Sequence, residues 1–298
     1  MIYRSTSNGE KSFNIQMFQQ ITILGPGLLG ASLAMAVKAR GLSQRVVVWS
    51  RRAETRGESA KQAWCDAVFD TPEAAVGDSD LVVVCTPVET IAPLLATIQP
   101  HLSATALVTD VGSTKRHICK EAQHLLQTGA KFIGSHPMAG SEQTGMAHAR
   151  ADLFENAACI LTPTDDSAGE ATARLQAFWK GLGMQTSVMP PEQHDEAVAH
   201  ISHLPHLLTS ALCGYLSKKD EAWRHLAGSG LRDCTRIAAG DPDLWQQILK
   251  QNREEVLHAI DGYEAVLQDF KATLAEAPPA ELQRLLVRGK KYRDHLNP

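Results

Sequence analysis

The sequence predicts an α/β domain built on a parallel sheet, followed by an all-α domain. Three observations carry this. From Gln20 onward, short runs rich in Val and Ile alternate with longer helical patterns, the order expected of strands joined by crossover helices. A glycine-rich turn stands directly after the first of those runs. After Pro190-Pro191 the strand signals stop and helical periodicity runs almost to the end. The length of 298 residues is also about twice that of one ordinary domain.

Taken in order, strands are expected at 20–24, 45–49, 81–85, 105–109, 131–134, 158–162 and 184–189, with helices at 28–40, 114–127 and 168–181. The domain limits follow as an extension over 1–19, the α/β domain over 20–190 and the helical domain over 191–298. Residues 1–16 are polar, precede Met17 and receive no function. In the helical half, Leu244, Ile248, Val256, Ile260, Tyr263, Leu267, Phe270 and Leu274 recur at spacings of three and four, with Asn252 on the same stripe. Such a helix would run about 45 Å and asks for cover from a partner subunit, so a homodimer through the helical domain is expected.

Composition narrows the function. A net charge of −4, from 29 basic and 33 acidic residues, provides no positive field for nucleic acid or anionic lipid. The longest apolar runs, such as 81–85, fall far short of the roughly 18 residues a membrane span needs, and no apolar leader opens the chain, so a cytoplasmic protein is expected. Six scattered cysteines form no CxxC pair and read as reduced, mostly buried small hydrophobes.

The turn after the first strand reads Gly25-Pro26-Gly27-Leu28-Leu29-Gly30. Strand, GxGxxG and helix in that order give a Rossmann-like cradle, where a pyrophosphate sits on N–H groups at a helix N-terminus. An NAD site usually ends its second strand in a carboxylate that bonds the ribose hydroxyls. Here the strand ends Trp49-Ser50-Arg51-Arg52, and a hydroxyl with two guanidinium groups suits a 2′-phosphate. NADP is therefore expected over NAD.

A dinucleotide names hydride transfer but no substrate. Four further clusters stand out: Asp110-Val-Gly-Ser113-Thr-Lys115; Ser135-His136-Pro137-Met138-Ala139-Gly140-Ser141-Glu142; His194-Asp195 with Ser202-His203-Leu204-Pro205-His206; and Gly230-Leu231-Arg232-Asp233-Cys234-Thr235-Arg236. With the glycine turn, these closely resemble the prephenate dehydrogenase family, which includes arogenate and cyclohexadienyl dehydrogenases of tyrosine biosynthesis. The resemblance covers about residues 20–275 and rests on five clusters in the family's order. Neither a chorismate mutase segment nor a regulatory ACT domain is expected, so the chain looks like a single-activity member.

The resemblance implies oxidative decarboxylation of prephenate to 4-hydroxyphenylpyruvate, or of arogenate to tyrosine, at a site between the two domains. His136 matches the catalytic histidine that bonds the ring 4-hydroxyl, and Ser113 the serine that helps orient that contact. Arg236 matches the substrate arginine, and His206 and Ser202 match side chains of the same pocket. Ser141, Glu142 and Asp233 match positions near the substrate. Thr86, Pro87, Asp110 and Lys115, by their places after strands, are expected to border the cofactor. A neutral imidazole, whose ordinary pKa lies near 6.5, can accept the hydroxyl proton.

Rival readings are answered by residues. A metal site built from His194, His200, His203 and His206 is opposed by Pro205, which breaks the spacing, and by the lack of a completing carboxylate or thiol. A 3-hydroxyacid dehydrogenase would need a catalytic lysine in the helical domain, and none stands in these clusters. A catalytically dead NADPH-sensing protein would lack catalytic groups, whereas His136, Ser113 and Arg236 are present.

Overall fold

The structure is a computed structural model that describes residues 16–126, 129–140, 143–164, 169–276 and 278–296. The chain forms two compact units. The first takes residues up to Asp195 together with Ala239–Gln251, and the second takes Glu196–Ala238 and the chain from Asn252 onward.

The first unit begins β1 (Phe18–Leu24), α1 (Leu28–Ala39), β2 (Ser43–Trp49), α2 (Ala53–Ser59), β3 (Ala67–Val68), α3 (Pro72–Val76), β4 (Leu81–Val84), α4 (Val88–Ile98), β5 (Leu107–Asp110), α5 (Arg116–Leu125) and β6 (Lys131–Phe132). Among the described residues these strands form a six-stranded parallel sheet in the order β3-β2-β1-β4-β5-β6. The order reverses between β1 and β4, which opens a crevice at their C-terminal ends where ligands of such sheets bind.

Both faces of the sheet are covered, and strand alternation shows it. Ile21, Ile23, Val46, Val48, Leu81, Val83 and Leu107 pack in one core with α1. Leu24, Val47, Val82, Val84 and Val108 pack in the other with α3, α4 and α5. That is why β4 reads Leu-Val-Val-Val without a polar residue: a buried parallel strand needs apolar side chains on both faces.

A second sheet contains β7 (Gly134–Pro137), β8 (Ala158–Thr162) and β9 (Gln185–Val188), with α6 (Glu170–Gly181) before β9. β7 runs antiparallel to β8, and β8 parallel to β9. The single strand expected at 131–134 is thus two. The chain leaves the large sheet after Ile133, whose N–H still reaches Val108 O at 3.0 Å, and enters the small one at Gly134. A Cβ on Gly134 would collide with Thr162 Oγ1 and press on Cys119 Sγ and Lys115 Cδ, so the crossing requires glycine.

α7 (Pro191–Val198) follows, then a π-helical turn (Ala199–His203) that runs into α8 (Leu204–Leu216), α9 (Ser229–Thr235), α10 (Pro242–Gln251), α11 (Arg253–Glu276) and α12 (Pro279–Asp294). The one helix expected across 244–274 is divided into α10, which belongs to the first unit, and α11, which belongs to the second. Asn252 stands at the break. It is 2% exposed, its carbonyl accepts Val256 N–H at 3.0 Å to open α11, and its Nδ2 donates to His203 Nδ1 at 3.1 Å.

Cys119 and Cys159 are buried, Cys65, Cys85 and Cys213 half-buried, and Cys234 is exposed. Cys234 departs from the expectation of burial because its helix, α9, holds no buried residue.

Candidate active site

The glycine turn is built as a phosphate cradle. Gly25 sits at φ +99°, where an added Cβ would come within 2.9 Å of Cys85 O. A Cβ on Gly30 would strike the Gly25 carbonyl, so helix and strand approach closely only without a side chain. Gly27, which caps α1, has open space where its Cβ would be, and no side chain caps the helix. Helix geometry leaves the first N–H groups of α1, at Leu28, Leu29 and Gly30, without intrahelical acceptors. Pro26 is buried between the glycines.

Two more features fit a dinucleotide here. Thr86, following β4 on the other side of the crevice, holds a buried Oγ1 with no hydrogen-bond partner among the described residues. Its Cγ2 lies 2.9 Å from the position of a Gly25 Cβ, and Pro87 beside it is exposed at the start of α4. The end of β2 is tied to the turn by Gly25 N–H donating to Trp49 O at 2.9 Å. Ser50 is half-buried there, and Arg51 and Arg52 are exposed with no ion pair among the described residues. Arg56 braces their backbone, its Nη1 donating to Ser50 O at 2.8 Å and Arg51 O at 3.2 Å.

The loop after β5 organises a second, buried constellation. Asp110 and Lys115 form an ion pair in which both side chains are fully buried. Asp110 Oδ2 also accepts Gly112 N–H at 2.8 Å, and its Oδ1 accepts Ser135 N–H at 3.2 Å. Asp110 thereby ties the end of β5 to β7.

β7 presents His136, which is 7% exposed. Its Nδ1 lies 2.8 Å from His194 Nε2, with the rings at 61°. His194 Nδ1 lies 2.7 Å from Asp195 Oδ1. Asp195 also accepts the N–H groups of Lys115 at 2.7 Å and Arg116 at 3.0 Å, at the N-terminus of α5 where the helix dipole favours an anion. Beneath this group Ser135 Oγ meets Thr109 Oγ1 at 2.8 Å and receives Trp179 Nε1–H at 3.0 Å. Ser113 is half-buried on the loop after β5.

Burial holds the His194 pKa below its ordinary value, against the pull of the Asp195 carboxylate. Burial pushes Asp195 up, but the bonds from His194, Lys115 N–H and Arg116 N–H outweigh it and leave its pKa lowered. The pair is therefore a neutral imidazole on an ionised carboxylate. The consequence for stability has a definite sign. As pH falls through about 6.5, His194 in the unfolded chain takes a proton that the folded chain refuses, so stability drops until the folded value is reached. Asp195 adds stability above about pH 3.9 that is lost as pH falls through its lower folded value. Calorimetry should show Tm declining from pH 7.5 to 5.5, with a shallower decline in His194→Gln; identical slopes would contradict this account.

The second unit holds the remaining candidates. His206 is 5% exposed on α8, and burial lowers its pKa against a hydrogen bond with the Ile237 backbone. That bond brings His206 to the segment bearing Arg236, which is exposed at the start of a short 3-10 turn (Arg236–Ala239). Ser202 is half-buried in the π-helical turn, and Asp233 is exposed on α9. Ser141 and Glu142 lie outside the described residues. His194 and Asp195 were visible as a motif but carried no role in the sequence. Their signal is an adjacent titratable pair on α7, and their partner stands 58 residues away.

Comparison with known proteins gives concordant matches. The family described as "Prephenate dehydrogenase, nucleotide-binding domain" matches residues 33–188, and that described as "Prephenate dehydrogenase, dimerization domain" matches residues 190–288. The cyclohexadienyl dehydrogenase of Zymomonas mobilis is 34% identical over 264 residues, covering 87% of this chain and 89% of the relative. The prephenate dehydrogenase of Bacillus subtilis is 32% identical over 285 residues, covering 94% of this chain and 77% of the relative. The structure of prephenate dehydrogenase from A. aeolicus in complex with hydroxyphenyl propionate and NAD+ superposes with a TM-score of 0.87 at 28% identity, covering 94% of this chain and 98% of that one.

Proposed function

The chain belongs to the prephenate dehydrogenase family, and from that premise we propose that it carries out the oxidative decarboxylation of prephenate to 4-hydroxyphenylpyruvate with NADP preferred over NAD. The observation that carries the reading is His136: an imidazole buried on β7, bonded through Nδ1, in a unit whose first strand ends in a dinucleotide cradle. A nicotinamide dinucleotide held by the Gly25–Gly30 turn and Thr86 would supply the hydride acceptor for the ring carbon that bears the hydroxyl. His136 takes the hydroxyl proton as carbonyl character develops and returns it to the phenolic oxygen once carbon dioxide has left and the ring is aromatic. The site thus needs a neutral base at working pH, and general-base assistance of this kind contributes about 10²- to 10⁴-fold.

Prephenate brings two carboxylates to a protein of net charge −4, so local cations must receive them. Arg236 is the proposed carboxylate ligand, with His206 and Ser202 as further polar contacts. The exposure of Arg236 and the approach of His206 to Ile237 support this. A homodimer through the second unit is part of the same proposal. Tyr263, Val266, Leu267 and Leu274 on α11 and Leu286 and Val287 on α12 stand at least 40% exposed, apolar surface that a subunit contact would cover.

The decisive assay follows cofactor reduction by the purified chain with prephenate and with arogenate, each with NAD+ and NADP+. Reduction of NADP+ with prephenate, and formation of 4-hydroxyphenylpyruvate, is the expected result. Turnover of arogenate alone would move the substrate assignment, and turnover of neither would remove it.

A further inference from the structure

The base proposed above works only if its ring is held still and the correct nitrogen carries the lone pair. The hydrogen bonds settle which nitrogen that is. Asp195 receives two backbone N–H groups and remains ionised, so it can only accept from His194 Nδ1. With its proton on Nδ1, neutral His194 offers a lone pair at Nε2. The 2.8 Å contact then requires His136 to donate from Nδ1, which makes Nε2 the basic nitrogen of His136. His136, His194 and Asp195 are 7%, 0% and 2% exposed, so water does not scramble this order.

We propose that His194 and Asp195 are positioning residues that lock His136 in its Nδ1–H form and stabilise its cation when it takes the substrate proton. This rests on the reading of His136 as the base. Asp195 is well suited to the task because α5 anchors both of its oxygens: a fixed carboxylate fixes His194, and His194 fixes His136.

Other charged groups stand near these three side chains. Lys115 and Asp110 face the group but are paired with each other. Arg116 contributes its backbone N–H to Asp195. The thiols of Cys119 and Cys159 stay neutral, because burial pushes the first up to about 12 and the second up as well. Through the hydrogen bonds that link them, the Asp195 carboxylate reaches both rings.

The test pairs turnover with a readout that needs no substrate. Asp195→Asn preserves size, removes the charge and sets an amide N–H against the Arg116 N–H that Oδ2 now accepts. It should lower kcat about 10- to 100-fold, change KM for prephenate less than about threefold, and shift the acid limb of the kcat profile. NADPH affinity should stay as in the parent. In the unsubstituted protein, 15N spectra of labelled histidines at pH 8 should show protonated Nδ1 and bare Nε2 on both His136 and His194, assigned with His136→Gln and His194→Gln. A proton on His136 Nε2 in that spectrum, or an Asp195→Asn enzyme with unchanged kcat, overturns the proposal. A fully active His136→Ala enzyme overturns instead the reading of His136 as the base, so the two failures are told apart. Should Asp195→Asn not fold, the spectrum of the unsubstituted protein still decides.

Discussion

Replacing His136 by alanine lowers kcat on prephenate by about 10²- to 10⁴-fold while the fold and the affinity for NADPH are retained. The size of the effect follows from the place of this residue. His136 pairs across from Ile160 in an antiparallel ladder made by backbone groups, so β7 survives loss of the ring. The dinucleotide cradle is built from the turn after β1 and from Thr86, neither of which uses His136. Truncation leaves His194 Nε2 without its partner, a local cost of about 1–3 kcal/mol that circular dichroism would register as a lower Tm and not as unfolding. Steady-state kinetics, fluorescence titration with NADPH and a thermal melt separate these quantities. A kcat within about threefold of the parent in a protein that melts cooperatively would show that the proton goes elsewhere.

Much of the α/β unit was legible because its signals are local. A run such as Leu81–Val84 can be satisfied only by a strand buried on both faces, and a glycine turn placed between such a run and a helix has few other uses. What escaped depends on contacts between distant segments. The helical stripe from Leu244 to Leu274 continues through Asn252, so periodicity cannot register the break, which falls at a side chain bonded to His203, 49 residues earlier. The switch between sheets at Gly134 is set by Thr162, Cys119 and Lys115, none of which is near in sequence. The buried ion pair of Lys115 with Asp110 is not foreseen from the place of Lys115 after a strand. The same holds for the catalytic candidate. Motif resemblance located His136, but not the contact of its Nδ1 with His194 Nε2, because α7 is brought beside β7 by tertiary packing alone.

Removing both guanidinium groups at the end of β2, in Arg51→Ala with Arg52→Ala, should reduce kcat/KM for NADP about 10²-fold and leave that for NAD within about threefold. The backbone supplies the reason for this selectivity. Gly25 N–H holds the end of β2 against the phosphate turn, so whatever follows Trp49 lies beside the adenosine end of a cofactor seated there. Arg56, not the exposed pair, secures the loop: it donates to the carbonyls of Ser50 and Arg51 and reaches Asp70 Oδ1 at 3.1 Å. The double substitution therefore removes charge without releasing the loop, and NAD, which has no 2′-phosphate, should not detect it. Because both arginines are exposed, their attraction for the phosphate is screened by salt, and the NADP preference of the parent should narrow as ionic strength rises from about 0.01 M to 0.15 M. Ser50→Asp supplies the converse, since a carboxylate at the half-buried position would repel the 2′-phosphate and accept the ribose hydroxyls of NAD. If the ratio of the two kcat/KM values stays constant in the double variant and across salt, Arg51 and Arg52 are solvent-facing charges and the discrimination, where present, comes from another part of the cradle.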